Sequence, residues 1–280
     1  MNTLIISKGF EGDRNVALKA INFTANSKNM RAPFADMVLL WYSTIAMPLF
    51  GASQADISIS QEDTRLILER NLAKYPRSSL FLYFKGKFHR TILLDLPGSL
   101  ASYQLASTHS AHIKEIQLIS MYEIGWLHMQ QLDYARALEQ FEMLHKSSKW
   151  SRSFGTYICA VLYGAMGNFD QANRYAKEAL KILAAQTKKS NPIELFALRR
   201  NEFIKKNPIK TKLFAEMLVL EMLYLWVCFP YMDEQSLKKV LASTCFIFCC
   251  IRLLFFDSGY TFTPKWTLGI GLSFRFGPTS

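Results

Sequence analysis

The chain has 280 residues, of which 50% are hydrophobic, 20% are charged and 14% are aromatic. This composition excludes a disordered, collagen-like or disulfide-framework protein and allows one or two domains with a sizeable core. Only 13 glycines and 9 prolines are present, which favours long helices over a protein of many strands. The net charge of +11 directs attention to acidic partners and anionic surfaces.

Three sequence features bear on cellular location. A run of about 18 uncharged apolar residues is absent, so no ordinary transmembrane helix is predicted. Residues 1–10 lack the charged start, apolar centre and cleavage site of a signal peptide. Three of the five cysteines fall within 245–250, which is not a disulfide framework. We therefore expect reduced thiols and a cytoplasmic location, with a membrane surface as a further contact.

Helices are predicted for the first part of the chain. Residues 1–55 form an N-terminal helical segment, with one helix over 13–30 and another over 34–50, separated at Pro33. Residues 56–112 are predicted as a degenerate helical repeat.

Within this degenerate repeat, a helical pattern stops at a proline. Residues 61–76 resemble the second helix of a repeat that ends at Pro76. Residues 79–90, SLFLYFKGKFHR, would begin the next hairpin, and residues 91–112 would complete it.

The centre of the chain contains an internal repeat. Residues 118–151 and 153–186 align at an offset of 35 residues, so that Gly125 falls on Ala160. Small residues at such positions let two antiparallel helices approach closely, and large side chains fill the remaining space. This is the pattern of the tetratricopeptide repeat, which has a period of about 34 residues. Other aligned pairs are His128 with Tyr163, Tyr134 with Phe169, and Ala137 with Ala172.

Two aligned positions are predicted helix caps. Asp133 and Asn168 lie where the turn leads into the second helix, and their side chains accept hydrogen bonds from free N–H groups there. The first copy departs from the usual pattern at Leu144 and Lys149, and the second copy departs at Ala176. Because each repeat stabilises only its neighbours, the flanking helices are expected to be caps or degenerate repeats.

A basic connecting segment, residues 187–212, follows the repeats. Residues 186–212 hold eight Lys or Arg and two Glu, and so supply +6 of the net charge of +11. The segment either binds phosphate groups or is a solvated helix and linker between two Asn-Pro breaks, and we favour the second interpretation. Phe196 and Phe203 are two helical turns apart, which indicates packing, so no nucleic acid is expected. The basic-patch candidates are Lys188, Lys189, Arg199, Arg200, Lys205 and Lys206.

The C-terminal part changes character. Residues 213–242 are predicted as a strongly apolar helix, which must be buried, and a following helix. Residues 243–280 form a divergent, irregular tail, in which 266–276 alternates as a strand without a partner. Three interpretations of the tail stay open: a membrane-contacting element palmitoylated at Cys249 and Cys250, an alternative terminus, or a translated intron or wrongly assigned exon, which we favour.

Seven short motifs carry a resemblance to a known family. They are GFEGDR (9–14), MRAPFADMVLLWY (30–42), YPRSSLFLYFKGK (75–87), YEIGW (122–126), SSKWS (147–151), NPIELFALRR (191–200) and EMLYLW (221–226). Over about residues 1–242 the chain resembles the tetratricopeptide repeat protein 39 family, its C-type branch above all, which is related to fungal inclusion-body-clearance proteins. The resemblance implies an all-α, tetratricopeptide-repeat-like α-solenoid of antiparallel helix pairs, and a non-enzymatic scaffold. Family roles include cilium-related and lipid-related associations.

No set of catalytic residues emerges from the sequence. The GxxxxGK[ST], HExxH and Gly-x-Ser-x-Gly motifs are absent. His109 and His112 are three residues apart and could share a helix face, but a third metal ligand is lacking. His128 occupies an aromatic core position and is interpreted as a packed histidine. We expect neither an enzyme nor a bound cofactor or metal.

The repeats suggest a place for a partner. In a tetratricopeptide array the first helix of each repeat lines a concave surface, where exposed aromatic side chains can hold a helix or an extended peptide. The alternative is that Tyr122 and Trp126 pack against an upstream helix and never reach solvent. The groove candidates are Tyr122, Trp126, Met129, Phe154 and Tyr157.

These features predict a protein-interaction scaffold that holds a partner protein or peptide segment in the groove. The alternative is a peripheral membrane or lipid-surface adaptor that uses the basic stretch 188–212 and the apolar tail. Chaperone binding through a carboxylate clamp is not expected. That clamp requires Lys and Asn at positions where this chain has Tyr122 with Trp126 and Tyr157 with Val161.

Overall fold

The structure is a computed structural model of the chain. The residues it describes are 14–50, 59–185, 191–242, 260–267 and 271–278. The chain divides into two compact units, Met1–Asp233 and Glu234–Ser280. In the first unit all described regular structure is helical, as the composition predicts.

The described part of the first unit begins with two helices, the second of which has Pro33 in its first turn. Helix α1 spans Arg14–Ala25 and packs on α2, which spans Ala32–Trp41. Pro33 lies in the first turn of α2, where its missing N–H breaks no helical hydrogen bond. A π-helical turn, Tyr42–Ala46, leads from α2 into the short α3, Met47–Phe50.

Helix α4, Gln61–Lys74, has clear signals at both ends. At its start, Ser60 Oγ accepts a hydrogen bond from the N–H of Asp63, and Ser60 N–H donates to Asp63 Oδ2 at 2.9 Å. This reciprocal capping box satisfies two N–H groups that a helix start leaves free. The helix ends two residues before Pro76, close to its predicted end.

A buried carboxylate fixes α4 against α2. Asp36 is buried and accepts hydrogen bonds from Arg70 and, at 2.7 Å, from the Asn71 amide. Both partners belong to α4, so the charge of Asp36 is compensated at the junction of the two helices.

Three helical hairpins form the centre of the unit. In each hairpin the two helices pack against each other, and each hairpin packs against the next. The predicted hairpin over 79–112 is therefore present, and it precedes the two aligned repeats. The pairs are α5 (Ser79–Thr91) with α6 (Leu96–His109), α7 (Lys114–Gln130) with α8 (Tyr134–Ser147), and α9 (Arg152–Ala165) with α10 (Phe169–Ala184).

The three hairpins share one turn geometry. Two or three residues after the first helix of each comes a residue with positive φ: Leu94 at 54°, Leu132 at 57° and Gly167 at 88°. The next residue caps the second helix by accepting an N–H from three residues ahead, at 2.9 Å for Asp95, 3.1 Å for Asp133 and 3.2 Å for Asn168. The caps predicted at Asp133 and Asn168 are confirmed, and Asp95 extends the pattern upstream.

Close helix approach explains the small residues of the repeat. A Cβ atom on Gly125 would lie 2.7 Å from Cε2 of Phe141, so only glycine leaves room for that ring. The corresponding residues of the second copy are Ala160 and Ala176, which are both buried.

Two further helices complete the first unit. Helix α11, Pro192–Lys206, begins after the cap Asn191, and α12, Lys212–Leu225, begins after the cap Thr211. A short 3₁₀ turn, Phe229–Tyr231, follows. Although α12 is strongly apolar, no helix of the described residues is long and apolar enough to cross a bilayer.

The second unit holds a helix over 234–242 and a β-hairpin. Strand β1, Tyr260–Thr267, pairs antiparallel with β2, Gly271–Pro278. The single unpartnered strand expected over 266–276 is therefore wrong: residues 266 and 267 end β1, and residues 271–276 lie in β2, which pairs with β1 through backbone hydrogen bonds. The run 245–256, with Cys249 and Cys250, lies outside the described residues.

Candidate functional site

The concave surface predicted as the groove is covered by the chain's own α12. This helix packs along α9 and also contacts α7, the first helices of the two aligned repeats. A Cβ atom on Gly164 of α9 would lie 2.8 Å from Cβ of Ala215 and 2.9 Å from Cγ2 of Ile209. The missing side chain of Gly164 thus makes room for α12. The buried residues of α12 are Ala215, Leu218, Val219, Met222 and Leu223.

A polar clamp holds the segment that leads into α12. The Asn173 side chain accepts a hydrogen bond from Ile209 N–H at 3.0 Å and donates one to Ile209 O at 2.9 Å. Ile209 is itself fully buried. Asn173 therefore satisfies both backbone groups of a residue that no helix includes.

An aromatic stack closes the other end of the covered surface. Trp226, just after α12, stacks on Trp126 at a centroid distance of 5.3 Å and on Phe154 at 4.8 Å. Its Nε1 donates a hydrogen bond to Tyr122 Oη at 3.0 Å. One side chain of the chain itself thus occupies the place that the sequence assigned to a partner.

The predicted groove residues consequently fall into two groups. Trp126 is 1% exposed, and Met129 and Tyr157 are fully buried, so these side chains do not reach solvent. Tyr122 is half-buried, and Phe154 is buried beneath Trp226. The sequence left open that an upstream helix covers Tyr122 and Trp126, but the cover comes from the downstream α12 and Trp226.

A buried ionic cluster fastens the chain beyond Trp226. Glu123 accepts hydrogen bonds from Lys87 Nζ at 2.7 Å and from Arg90 Nη1 at 2.9 Å. Arg90 Nη2 lies 3.3 Å from Sγ of Cys228, and the Gln130 amide donates to Cys228 O at 3.0 Å. Burial opposes ionisation of Glu123, but the two cations outweigh it and hold the pKa of this carboxyl below its usual value.

An apolar cleft stays open at the edge of the repeats. It has a volume of about 240 Å³ and lies where α7, α8 and α9 meet the start of α11. Side chains at its rim are exposed: Ile119 by 36%, Trp150 by 55% and Ile193 by 39%. The other lining residues are Leu118, Tyr122, Phe141, Leu144, His145, Ser148, Ser151, Arg152, Phe154, Gly155 and Ile158.

A basic pocket adjoins this cleft. Lys149, Arg152 and Lys181 line it, together with Ile182 and Ala185, and all three cations are exposed. Arg152 lines both the cleft and the pocket, so the two form one continuous surface. The arrangement offers apolar contact beside three positive charges.

Two comparisons relate this chain to known proteins. A solved tetratricopeptide repeat protein from Parabacteroides merdae is similar at 15% sequence identity, with a TM-score of 0.47, over 80% of this chain and 76% of that one. The model of the Iml2/Tetratricopeptide repeat protein 39 family matches residues 1–246. The chain belongs to the Iml2/Tetratricopeptide repeat protein 39 family. The family resemblance seen in the sequence motifs is thereby confirmed, and the C-type branch stays a prediction.

The basic patch predicted in this family member is only partly a free charged surface. Arg199, Lys205 and Lys206 are exposed on α11, whereas Arg200 forms an ion pair with Glu221 of α12. Arg200 therefore helps to hold α12 in place. Lys188 and Lys189 lie outside the described residues.

The histidines of the chain show no metal geometry. Helix α6 ends at His109, so His112 lies in the following turn and the two do not share a helix face. No group of three His, Cys, Asp or Glu side chains able to hold a metal ion occurs among the described residues. His128 is buried, and burial lowers its pKa, which fits the predicted packed histidine.

One cluster, formed by Thr156, His145 and Glu178, has the residue types of a hydrolytic triad. His145 lies 3.0 Å from Thr156 Oγ1 and 3.3 Å from Glu178 Oε1. The Thr156 side chain is fully buried, and its hydroxyl donates to Arg152 O at 2.7 Å. A substrate carbonyl cannot reach this oxygen, so the cluster serves packing between α8, α9 and α10.

The cleft and the basic pocket contain residues that sequence reasoning did not select. Lys149, Trp150, Arg152, Lys181 and Ile193 were not proposed as partner contacts. One signal was available: Trp150 is a large apolar residue in the short polar stretch SSKWS, between two helices.

Proposed function

We propose that this family member is a non-enzymatic protein-interaction scaffold, and that it binds a partner segment in the apolar cleft at α7, α8 and α9. The observation that carries the proposal is the exposure of Ile119, Trp150 and Ile193 around the apolar cleft. Such surfaces favour docking of a large apolar side chain from a partner. Tyr122 and Phe154, two of the predicted groove residues, line this cleft.

The concave surface supports this choice by contrast. Its side chains Trp126 and Phe154 are already stacked on Trp226. Its helix α9 is also in close contact with α12 and Ile209 at Gly164. A partner would have to displace the chain's own helix to reach them. The open cleft requires no such displacement.

The test compares two charge insertions in the full chain. Ile119→Asp places a carboxylate at the rim of the cleft, and Leu105→Asp places one on α6, where Leu105 is also exposed but does not line the cleft. Each tagged protein is purified from cells that express it, and its companions are quantified by mass spectrometry.

We expect a near-stoichiometric companion of the unchanged chain to be lost with Ile119→Asp and kept with Leu105→Asp. A companion that both variants retain would contradict binding in the cleft. Thermal unfolding of both variants is the folding control, and we expect their melting temperatures to match that of the unchanged chain.

A second candidate function, a peripheral membrane or lipid-surface adaptor, is supported by α11. This helix exposes Arg199, Lys205 and Lys206, and its apolar Leu195 and Phe203 are exposed as well. Anionic surfaces attract such a segment, and salt screens the attraction. Binding to anionic liposomes that salt and Lys205→Gln/Lys206→Gln both weaken would support this function, and insensitivity to both would contradict it.

A further inference from the structure

The cleft and its basic neighbour differ in chemistry but share one residue. Arg152 contributes to the apolar cleft and to the basic pocket, and Lys149 directly precedes Trp150 at the cleft rim. A segment that places an apolar side chain in the cleft therefore passes beside Lys149, Arg152 and Lys181.

Within the described part of the chain, no acidic side chain forms an ion pair with the three cations of the pocket. Among the ion pairs of the described residues, none involves Lys149, Arg152 or Lys181. Glu178 lies one turn before Lys181 on α10 but pairs with His145.

One more acidic group lies near the start of α9. Glu194 is only 3% exposed, and neither of its carboxylate oxygens has a hydrogen-bond partner among the described residues. Burial raises the pKa of this carboxyl, which favours its neutral form. The surface that a partner meets at the pocket is therefore positive.

We propose that the partner segment is acidic: a large apolar side chain enters the cleft while flanking Asp or Glu side chains meet Lys149, Arg152 and Lys181. The apolar anchor supplies the contact area, and the charges steer encounter and fix the direction of the segment. This inference rests on the proposed function and adds the chemistry of the partner. The site is distinct from a carboxylate clamp, because it lies at the edge of the repeats and requires no free C-terminus.

The experiment selects segments from a phage-displayed library of random peptides without free C-termini, with the full chain as bait. Three variants are compared with the unchanged chain. Ile119→Asp alters the cleft, Lys149→Glu/Arg152→Glu/Lys181→Glu reverses the pocket, and Lys19→Glu/Lys28→Glu/Lys74→Glu reverses three exposed lysines elsewhere. The last two variants have the same net charge, so their comparison separates a local charge effect from a global one.

We expect the selected segments to combine one large apolar residue with neighbouring Asp or Glu. Their affinity should fall at least about tenfold on reversal of the pocket, far less on reversal of the remote lysines, and it should weaken with salt. Ile119→Asp should abolish binding, since a carboxylate would then occupy the place of the apolar contact.

Other results overturn one or both ideas. Segments without acidic residues that require the cleft but ignore pocket reversal overturn the acidic partner and leave the scaffold function intact. Selection that ignores Ile119→Asp, or no selection above background, overturns the cleft itself. Pocket-dependent binding to vesicles of anionic lipid, without peptide selection, assigns the three cations to a lipid surface instead.

Discussion

The covered concave surface and the open cleft share helices α7 and α9, but the first is buried by the chain itself and the second is exposed. Both are apolar and both contain aromatic side chains from α7 and α9. On the concave side, the chain returns as α12 and Trp226 and fills the surface with its own residues. The cleft is left with exposed apolar side chains at its rim. The difference shows that helix packing within one chain can bury one surface of a repeat and leave a neighbouring surface exposed.

The largest effect on stability is expected from breaking the buried ionic cluster around Glu123. Glu123→Ala leaves Lys87 and Arg90 buried without their carboxylate, which should lower the free energy of unfolding by about 3–5 kcal/mol. Urea denaturation measures the change. Glu69→Ala, which removes a half-exposed carboxylate from α4, is the control and should change stability by less than about 1 kcal/mol.

The same carboxylate predicts a pH dependence. Because the pKa of Glu123 is lowered in the folded state, its ionised form stabilises the fold above the unfolded-state pKa. This contribution is lost as the pH falls through the lowered folded-state pKa. Denaturation series from neutral to acidic pH should therefore show a smaller loss of stability for Glu123→Gln than for the unchanged chain, and equal slopes would argue against this assignment.

The next effect compares a tryptophan on each surface. Trp226→Ala removes the ring stacked between Trp126 and Phe154 and should destabilise the fold by about 2–4 kcal/mol. Trp150→Ala at the open cleft removes a side chain that is mostly exposed and should cost less than about 1 kcal/mol. Thermal unfolding of the two variants measures the difference, and similar losses would contradict the contrast between the two surfaces.

A pair of glycines in α9 sharpens the comparison further. Gly164→Ala forces a methyl group against Ala215 and Ile209 and should destabilise the fold by about 1–3 kcal/mol. Gly155→Ala meets no atom within 4 Å and should be neutral or stabilising by up to about 1 kcal/mol, because alanine favours a helix. Chemical denaturation distinguishes the two, and opposite signs are the expected outcome.

The smallest effect concerns the turn geometry that the three hairpins share. Leu94 has a φ of 54° and its side chain is 59% exposed, so Leu94→Gly should relieve backbone strain and stabilise by about 0.5–1 kcal/mol. Gly167→Ala does the opposite in the equivalent turn, because it puts a side chain on a residue with a φ of 88°. It should destabilise the fold by about 1 kcal/mol. Melting temperatures that move in the same direction would refute the shared turn geometry.

Much of the local structure was predictable. The caps Asp133 and Asn168, the helix end near Pro76 and the close approach at Gly125 follow from residue chemistry and spacing. The candidate site was predictable only in part. The sequence placed Tyr122 and Phe154 among partner contacts, but it gave no role to Trp150 or Arg152, which join the cleft only when α8 and α9 pack.

By itself the sequence determined the helical repeats of the first unit, the positions of their turns and the need to bury residues 213–229. Those properties depend on side chains a few residues apart, whose contacts any helical hairpin would make. Only the tertiary structure decided where that burial takes place. Trp226 meets Trp126 about 100 residues away in sequence, and Gly164 leaves room for Ala215 only when both helices are in place. Such contacts depend on shape complementarity between distant helices, which periodicity does not encode.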